Sequence, residues 1–236
     1  MKLIGLISPN LSEITLADVY KILPDGIRIE GRALNVGKYT DEEFHRAEEA
    51  FLHCVHDLAR HALDFLMVTG ELFLSYKGPG SDRQILDLVK KITPTPASTV
   101  LTAVVRGCRA LGLKRVVMAT PFPEDQDQRL IRFLAHDGIE VVAFCGLGCP
   151  NSEVIWALPS ETGYDLAASL LREHPDVDGV YMPCNKWRII SVIDRIEKES
   201  RKPVVTNTQA WVWEALRAMG NTNPVPGYGR LLSDVH

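Results

Sequence analysis

The sequence predicts an α/β fold of two related halves, each a mostly parallel sheet flanked by helices. Short apolar runs bounded by Gly and Pro alternate with longer amphipathic stretches, which is the pattern of βα units around a parallel sheet. Hydrophobic residues make up 46% of the 236 residues, enough to bury one large core or two small ones. An internal repeat then relates the first part of the chain to the second.

Seven apolar runs predict strands, and the amphipathic stretches between them predict helices. The predicted strands are 2–7, 27–33, 64–69, 114–119, 139–144, 178–183 and 203–206. The predicted helices are 41–62, 81–92, 98–111, 125–137, 160–173, 187–200 and 208–219. The first helix has a clear start, because Thr40 can cap it while Glu43, three residues later, completes a capping box.

The internal repeat pairs residues 64–70 with residues 178–184. Each segment has an Asp, an apolar strand and a small residue at its end. Later in each half, a strand that begins with proline precedes a helix ending in Arg-Ala-Leu-Gly or Arg-Ala-Met-Gly. Short repeats of this kind also arise by chance in α/β proteins. If the duplication holds, Gly70 and Cys184 occupy matching positions at the carboxyl ends of matching strands, where ligands bind in open α/β sheets.

The repeat also predicts the domain organisation. Residues 1–112, with part of the C-terminal region, form the first half, and residues 113–220 form the second. Residues 221–236 are rich in Asn, Pro and Gly, which predicts an irregular tail.

Composition excludes several classes of protein. The net charge of −4 and the absence of a Lys/Arg-rich run argue against nucleic-acid binding, so a small molecule is the expected ligand. No apolar run approaches the roughly eighteen residues of a membrane span, and the N-terminal run is too short for a signal peptide. The five cysteines are odd in number and lack the paired spacing of a zinc site. We therefore expect a reduced, cytoplasmic protein without a metal ion.

Cys184 is the first candidate for chemistry. It follows a strand-like run and precedes a predicted helix, whose N-terminus would lower the pKa of the thiol. The neighbouring Lys186 and Arg188 would add to this effect if they point towards the sulfur. The alternative is a buried structural cysteine, as most free cysteines are. Position alone leaves both interpretations open.

Several short motifs follow one another in the order and spacing of a known family. They lie at residues 5–10, 23–26, 77–83 and 119–122, at Cys184, and at residues 203–205 and 209–210. Together they make the sequence resemble the maleate isomerase and arylmalonate decarboxylase branch of the aspartate/glutamate racemase superfamily. The resemblance covers nearly the whole chain.

The resemblance implies two pseudo-symmetric halves with the active site in the cleft between them, and no cofactor. Racemases and isomerases of this superfamily take one cysteine from each half, but here the first of those positions is Gly70. A glycine there, with Cys184 retained, resembles the arylmalonate decarboxylases, in which the lone thiol protonates the carbanion left by loss of CO2. The resemblance therefore implies decarboxylation of a malonate-type acid, with Cys184 as the proton donor.

Three departures from the decarboxylase pattern affect how a substrate carboxylate would be bound. Glu71 and Leu72 stand where the decarboxylases carry small hydroxyl residues. Phe122 replaces the family's tyrosine, and Asn185 follows the cysteine in place of Thr or Gly. Glu71 could repel a carboxylate, could serve as a second acid/base if burial raises its pKa, or could be a solvated loop acid.

Three functions remain open at this point. The first is decarboxylation by Cys184, the second is cis-trans isomerisation or racemisation of a small (di)carboxylic acid by Cys184 with Glu71, and the third is non-catalytic binding of a small molecule. The expected partner is a small carboxylic acid, and a homo-oligomer is a possible assembly. The residues predicted to bind substrate are Pro9, Asn10, Thr69, Gly70, Leu72, Phe122, Asn185, Thr206 and Asn207.

Overall fold

The computed structural model describes residues 1–234 and contains two four-stranded parallel sheets flanked by helices. The first sheet has the order β2-β1-β3-β4, from β1 (Lys2–Ser8), β2 (Ile27–Ala33), β3 (Phe65–Val68) and β4 (Ala97–Thr99). The second has the order β6-β5-β7-β8, from β5 (Arg115–Thr120), β6 (Glu140–Gly146), β7 (Gly179–Met182) and β8 (Val204–Thr206). The predicted fold class is confirmed.

The two sheets have the same topology, which accords with the internal repeat. Adding four to each strand number of the first order gives the second order. Gly70 and Cys184 lie at matching places, each two residues beyond the end of its strand, and both have left-handed backbones with φ of 103° and 86°. The sequence positions at which one half gives way to the other stay a prediction.

Eleven helices lie between the strands or after the last strand within residues 1–234. They are α1 (Glu13–Ile22), α2 (Asp41–Leu58), α3 (Glu71–Ser75), α4 (Ser81–Ile92), α5 (Val100–Ala110), α6 (Glu124–His136), α7 (Ser152–Trp156), α8 (Ser160–Glu173), α9 (Ile193–Ser200), α10 (Asn207–Ala218) and α11 (Arg230–Ser233). Within this described region, no helix combines the length and the apolar composition needed to cross a membrane.

Several predicted elements need correction. The strand predictions omitted β4, whose last two residues lie inside the predicted helix 98–111, because its sequence Ala-Ser-Thr has no run of large apolar residues, unlike the equally short β8. The predicted helix 187–200 begins only at Ile193. The short helices α3, α7 and α11 and the ten-residue α1 were also missed. Helix α11 lies in the predicted irregular tail, whose residues 235–236 are outside the described residues.

The helix starts follow from their capping residues. Thr40 accepts a hydrogen bond from the Glu43 N–H, as predicted, but the Glu43 carboxylate accepts from the Gly37 N–H, so the box is only half formed. The complete capping box belongs to α10, between Thr206 and Gln209. Helix α10 packs on α5 and contacts β3, β4 and β8, so it brings its N-terminus against both sheets.

Asp127, in the first turn of α6, is a buried acid that lowers the stability of the fold when it is ionised. It is fully buried, and its Oδ1 accepts a hydrogen bond of 2.8 Å from the Thr120 hydroxyl. Its Oδ2 has no partner among the residues that the structure describes. Burial raises the pKa of the Asp127 carboxyl to about 7.

We expect Asp127→Asn to stabilise the protein above neutral pH. The folded-state pKa is raised, so the contribution of this group to stability is complete below about pH 4 and is lost as the pH rises to about 7. An amide keeps the bond from Thr120 without the charge, so the variant should gain on the order of 1–3 kcal/mol at pH 8 and little at pH 4. Urea unfolding at both pH values measures this, and an equal shift at pH 4 and pH 8 would contradict it.

Candidate active site

A small cavity lies where the carboxyl ends of strands from both sheets come together. Its lining includes Pro9, just after β1, Gly70, after β3, Phe122, after β5, and Cys184, after β7. The cavity volume is about 40 Å³, which is room for only a few water molecules. A substrate must therefore displace lining side chains as it enters.

Cys184 presents a buried, protonated thiol to this cavity. The residue is 5% exposed, and its Sγ accepts a hydrogen bond of 3.4 Å from the Lys186 backbone N–H. Burial raises the pKa of the thiol well above its usual range, and the neighbouring Glu71 carboxyl raises it further. The expectation of a lowered pKa is wrong because burial outweighs the Lys186 and Trp187 backbone N–H groups, which favour the thiolate, and because α9 begins only at Ile193 and not directly after Cys184. A thiol in this state is a proton donor.

We expect Cys184 to be alkylated slowly at pH 7. Iodoacetamide reacts with the thiolate, which burial disfavours at Cys184, whereas Cys145 is exposed. Mass spectrometry of the timed reaction should show Cys145 modified well before Cys184. Faster modification of Cys184 would mean that its thiol is ionised at neutral pH.

The close approach of Pro9 favours glycine at position 70, which is equivalent to Cys184. The Gly70 φ of 103° lies in the left-handed region that side chains disfavour, and Gly70 forms the N-cap of α3. A Cβ at this position would overlap the ring of Pro9. The first half therefore contributes no side-chain group at this place in the cavity.

Glu71, the first residue of α3, is buried beside Cys184. Glu71 is only 4% exposed, which excludes the interpretation that it is a solvated loop acid. Burial raises the pKa of the carboxyl to about 7, although its own N–H, the Cys184 N–H and the nearby Lys186 favour the charged form. Both protonation states of Glu71 are thus accessible near neutral pH.

Lys186 also lines the cavity, and its ammonium group is buried beside it. The residue is 7% exposed, and its Nζ donates hydrogen bonds to the Asn10 carbonyl and the Thr15 hydroxyl of the first half. Nζ also lies 5.5 Å from the ring centroid of Trp156. Burial lowers the pKa of the ammonium to about 8, against the attraction of Cys184 and Glu71.

The sequence reasoning missed Tyr39 as a cavity residue. Its ring lies edge-on to Phe122, with centroids 5.8 Å apart, and its hydroxyl is 3.2 Å from the Ser152 Oγ. Tyr39 therefore brings a hydroxyl to the side of the cavity where Phe122 lacks one. No sequence signal marked this residue, because it lies in a loop between β2 and α2.

The structure brings most of the predicted site residues together. Those that line the cavity are Pro9, Gly70, Glu71, Leu72, Phe122, Cys184 and Asn185. Their roles stay predictions.

Four predicted residues do not line the cavity, and their polar groups have other partners. The Asn10 amide donates to the Val36 carbonyl at 2.6 Å, and the Thr69 hydroxyl donates to the Ile7 carbonyl at 3.2 Å. Thr206 caps α10, and the Asn207 Oδ1 accepts from the Tyr181 hydroxyl at 2.8 Å. Asn207 nevertheless lies close enough to Glu71 to favour its charged form. Within residues 1–234, no group of three or more His, Cys, Asp or Glu side chains is placed to hold a metal ion.

Comparison with known proteins gives a consistent set of relatives. The sequence profile of the family described as arylmalonate decarboxylase matches residues 4–232. The chain is 28% identical to the arylmalonate decarboxylase of Bordetella bronchiseptica over 232 residues, which is 98% of this chain and 96% of that one. It is 25% identical to a maleate isomerase of Nocardia farcinica over 185 residues, 76% of this chain and 73% of that one.

Solved structures give the same picture. A liganded double mutant of arylmalonate decarboxylase, with a glycine changed to cysteine and a cysteine to serine, superposes with a TM-score of 0.92 at 27% identity. The match covers 98% of this chain and 99% of that chain. The maleate cis-trans isomerase of Nocardia farcinica, as a mutant with a covalently bound succinylcysteine, has a TM-score of 0.91 at 20% identity and covers 100% and 99% of the two chains, which shows a shared fold.

Proposed function

The chain belongs to the arylmalonate decarboxylase family, and from this we propose that it is a cofactor-independent decarboxylase of a malonate-type acid. The observation that carries the proposal is the single protonated thiol of Cys184 at the cavity, with Gly70 at the equivalent position of the other half. One proton donor on one side of a planar intermediate is sufficient to produce one stereoisomer.

The proposed reaction has two steps. The bond between the α-carbon and one carboxylate breaks, CO2 leaves, and the electron pair remains as an enediolate on the other carboxylate. Cys184 then donates its proton to the α-carbon, and the thiolate recovers a proton from water. The apolar side chains of Leu72 and Phe122 suit the departing carboxylate, because an apolar surface disfavours its charged form.

The Asn185 side chain and the backbone amides near Gly70 are the donors that we propose for the carboxylate that stays. Both groups belong to residues that line the cavity. Hydrogen bonds to the developing enediolate would strengthen as its charge grows, which lowers the barrier to CO2 loss.

Release of CO2 from disubstituted malonates tests this function. Purified protein should release CO2 from at least one member of a panel that runs from dimethylmalonate to methylphenylmalonate, and a metal chelator should not change the rate. The small cavity makes the smaller members informative, since they require less displacement of the lining. No release across the panel would reject decarboxylation.

A second candidate function is isomerisation or racemisation by Cys184 with Glu71. The observation in its favour is the buried Glu71 carboxyl, whose pKa of about 7 allows it to accept a proton that Cys184 returns. Racemisation predicts exchange of an α-hydrogen with solvent deuterium, without CO2 release, and loss of that exchange in Glu71→Gln. Exchange that persists in the variant would exclude Glu71 as the base.

We also propose a cytoplasmic location and a small carboxylic acid as the partner. All five cysteines are unpaired, as expected in a reducing compartment. The relatives are named as enzymes of arylmalonate and maleate, which are small carboxylic acids.

A further inference from the structure

We propose that the ammonium group of Lys186 binds the carboxylate that the substrate retains, at a site lined by Glu71 and by the apolar side chains of Leu72 and Phe122. The inference rests on the proposed function, because that function supplies the carboxylate. Lys186 would thus determine the specificity of the site.

The first argument is the position of the ammonium. Lys186 comes from the second half, directly after the Cys184 turn, and its Nζ is fixed by the Asn10 carbonyl and the Thr15 hydroxyl of the first half. An ammonium group has three N–H donors, and these two bonds use two of them. The third remains for a ligand in the cavity that Lys186 lines.

The second argument is the charge of the lining. Among the described residues around the cavity, Lys186 is the only basic one and Glu71 the only acidic one. The side chains of Leu72 and Phe122 have no polar group that could bind a carboxylate. An anion that enters this apolar, buried space therefore finds one positive charge, and an opposite charge in such surroundings is attracted more strongly than in water.

The third argument is that Glu71 can give way to the substrate. Titratable groups around it are Tyr39, Tyr181, Cys184 and Lys186, and only Lys186 is a cation. When a substrate carboxylate pairs with Lys186, the negative charge of Glu71 is no longer balanced. Glu71 then takes up a proton, which its pKa of about 7 allows. Substrate binding and protonation of Glu71 are coupled in this way.

Binding of phenylacetate and its neutral amide, phenylacetamide, tests the proposal by calorimetry at pH 6.5. The two probes differ only in the charged group, so the ratio of their affinities isolates the carboxylate. We expect Lys186→Met to weaken the binding of phenylacetate about 30-fold or more and the binding of phenylacetamide less than about threefold. Lys186→Arg should keep much of the preference, and Lys91→Met, at an exposed position of α4, should leave both affinities unchanged.

Retention of the full carboxylate preference in Lys186→Met would overturn the proposal. If that variant does not fold, Glu71→Gln provides the test, because residue 71 no longer titrates there and the preference for phenylacetate should still fall as the pH rises from 7 to 10 and Lys186 loses its proton. A preference that stays constant over that range would also overturn the proposal.

The CO2 assay tests the proposed function, and the affinities test the carboxylate site, so the two proposals can fail independently. A Lys186-dependent preference without CO2 release from any malonate rejects the proposed function but supports the carboxylate site. CO2 release with an unchanged KM in Lys186→Met supports the proposed function but rejects the carboxylate site.

Discussion

Cys184→Ala is expected to lower kcat for CO2 release by about 10²- to 10⁴-fold, the range that a general acid contributes. The thiol is the only sulfur at the cavity within the described residues, and it is held protonated by burial and by Glu71. An alanine leaves the cavity open but provides no proton. The enediolate must then take its proton from water, so the stereochemical preference of the product should be lost as well.

Cys108→Ala is the matched control for this prediction. Cys108 is also fully buried, and burial raises its thiol pKa to about 12, but it lies within α5 and does not line the cavity. This variant should lose some stability, roughly 1–2 kcal/mol for a small buried side chain, with kcat unchanged. Chiral chromatography and CO2 release measure both variants. Full kcat and unchanged stereochemistry in Cys184→Ala would contradict the proton-donor role.

The fold was largely predictable because most of its strands are apolar runs and most of its longer helices are amphipathic. Strands such as β3 and β7 are uninterrupted apolar runs after an Asp, and each is fully buried in the structure. Strand β4 was not predictable in the same way, since its residues Ala-Ser-Thr form no apolar run. The repeat could nevertheless have located it, because it pointed to a strand after a proline in each half.

The chemistry of the site was less predictable, because it depends on contacts between distant residues. The sequence located Cys184 but gave the wrong direction for its pKa, which depends on burial and on where α9 starts. Lys186 was considered only as a neighbour of the thiol. Its bonds to Asn10 and Thr15 span more than 170 positions, and no local pattern marks such a pairing.

The rate of decarboxylation is expected to fall as the pH rises above 7. Glu71 is neutral below its pKa of about 7, and above it the carboxylate repels the anionic substrate. Lys186 loses its positive charge above its pKa of about 8. The substrate carboxyl groups stay ionised throughout this range. We therefore expect kcat/KM to decrease about tenfold per pH unit between pH 7 and 8 and more steeply beyond, as two groups deprotonate.

Glu71→Gln should remove the decrease that Glu71 causes above about pH 7 and leave only the one that Lys186 causes, and the Lys186 pKa itself should fall below about 8 because Glu71 no longer raises it. At pH 9 the variant should exceed the wild-type protein in kcat/KM by up to about 100-fold, since two pH units separate pH 9 from the Glu71 pKa. An isomerase or racemase that uses Glu71 as a base has the opposite dependence. It needs the ionised carboxylate, so its rate rises through pH 7 and is abolished in Glu71→Gln. Whether the rate falls or rises through pH 7 thus distinguishes an enzyme that uses only the thiol from one that pairs the thiol with a carboxylate.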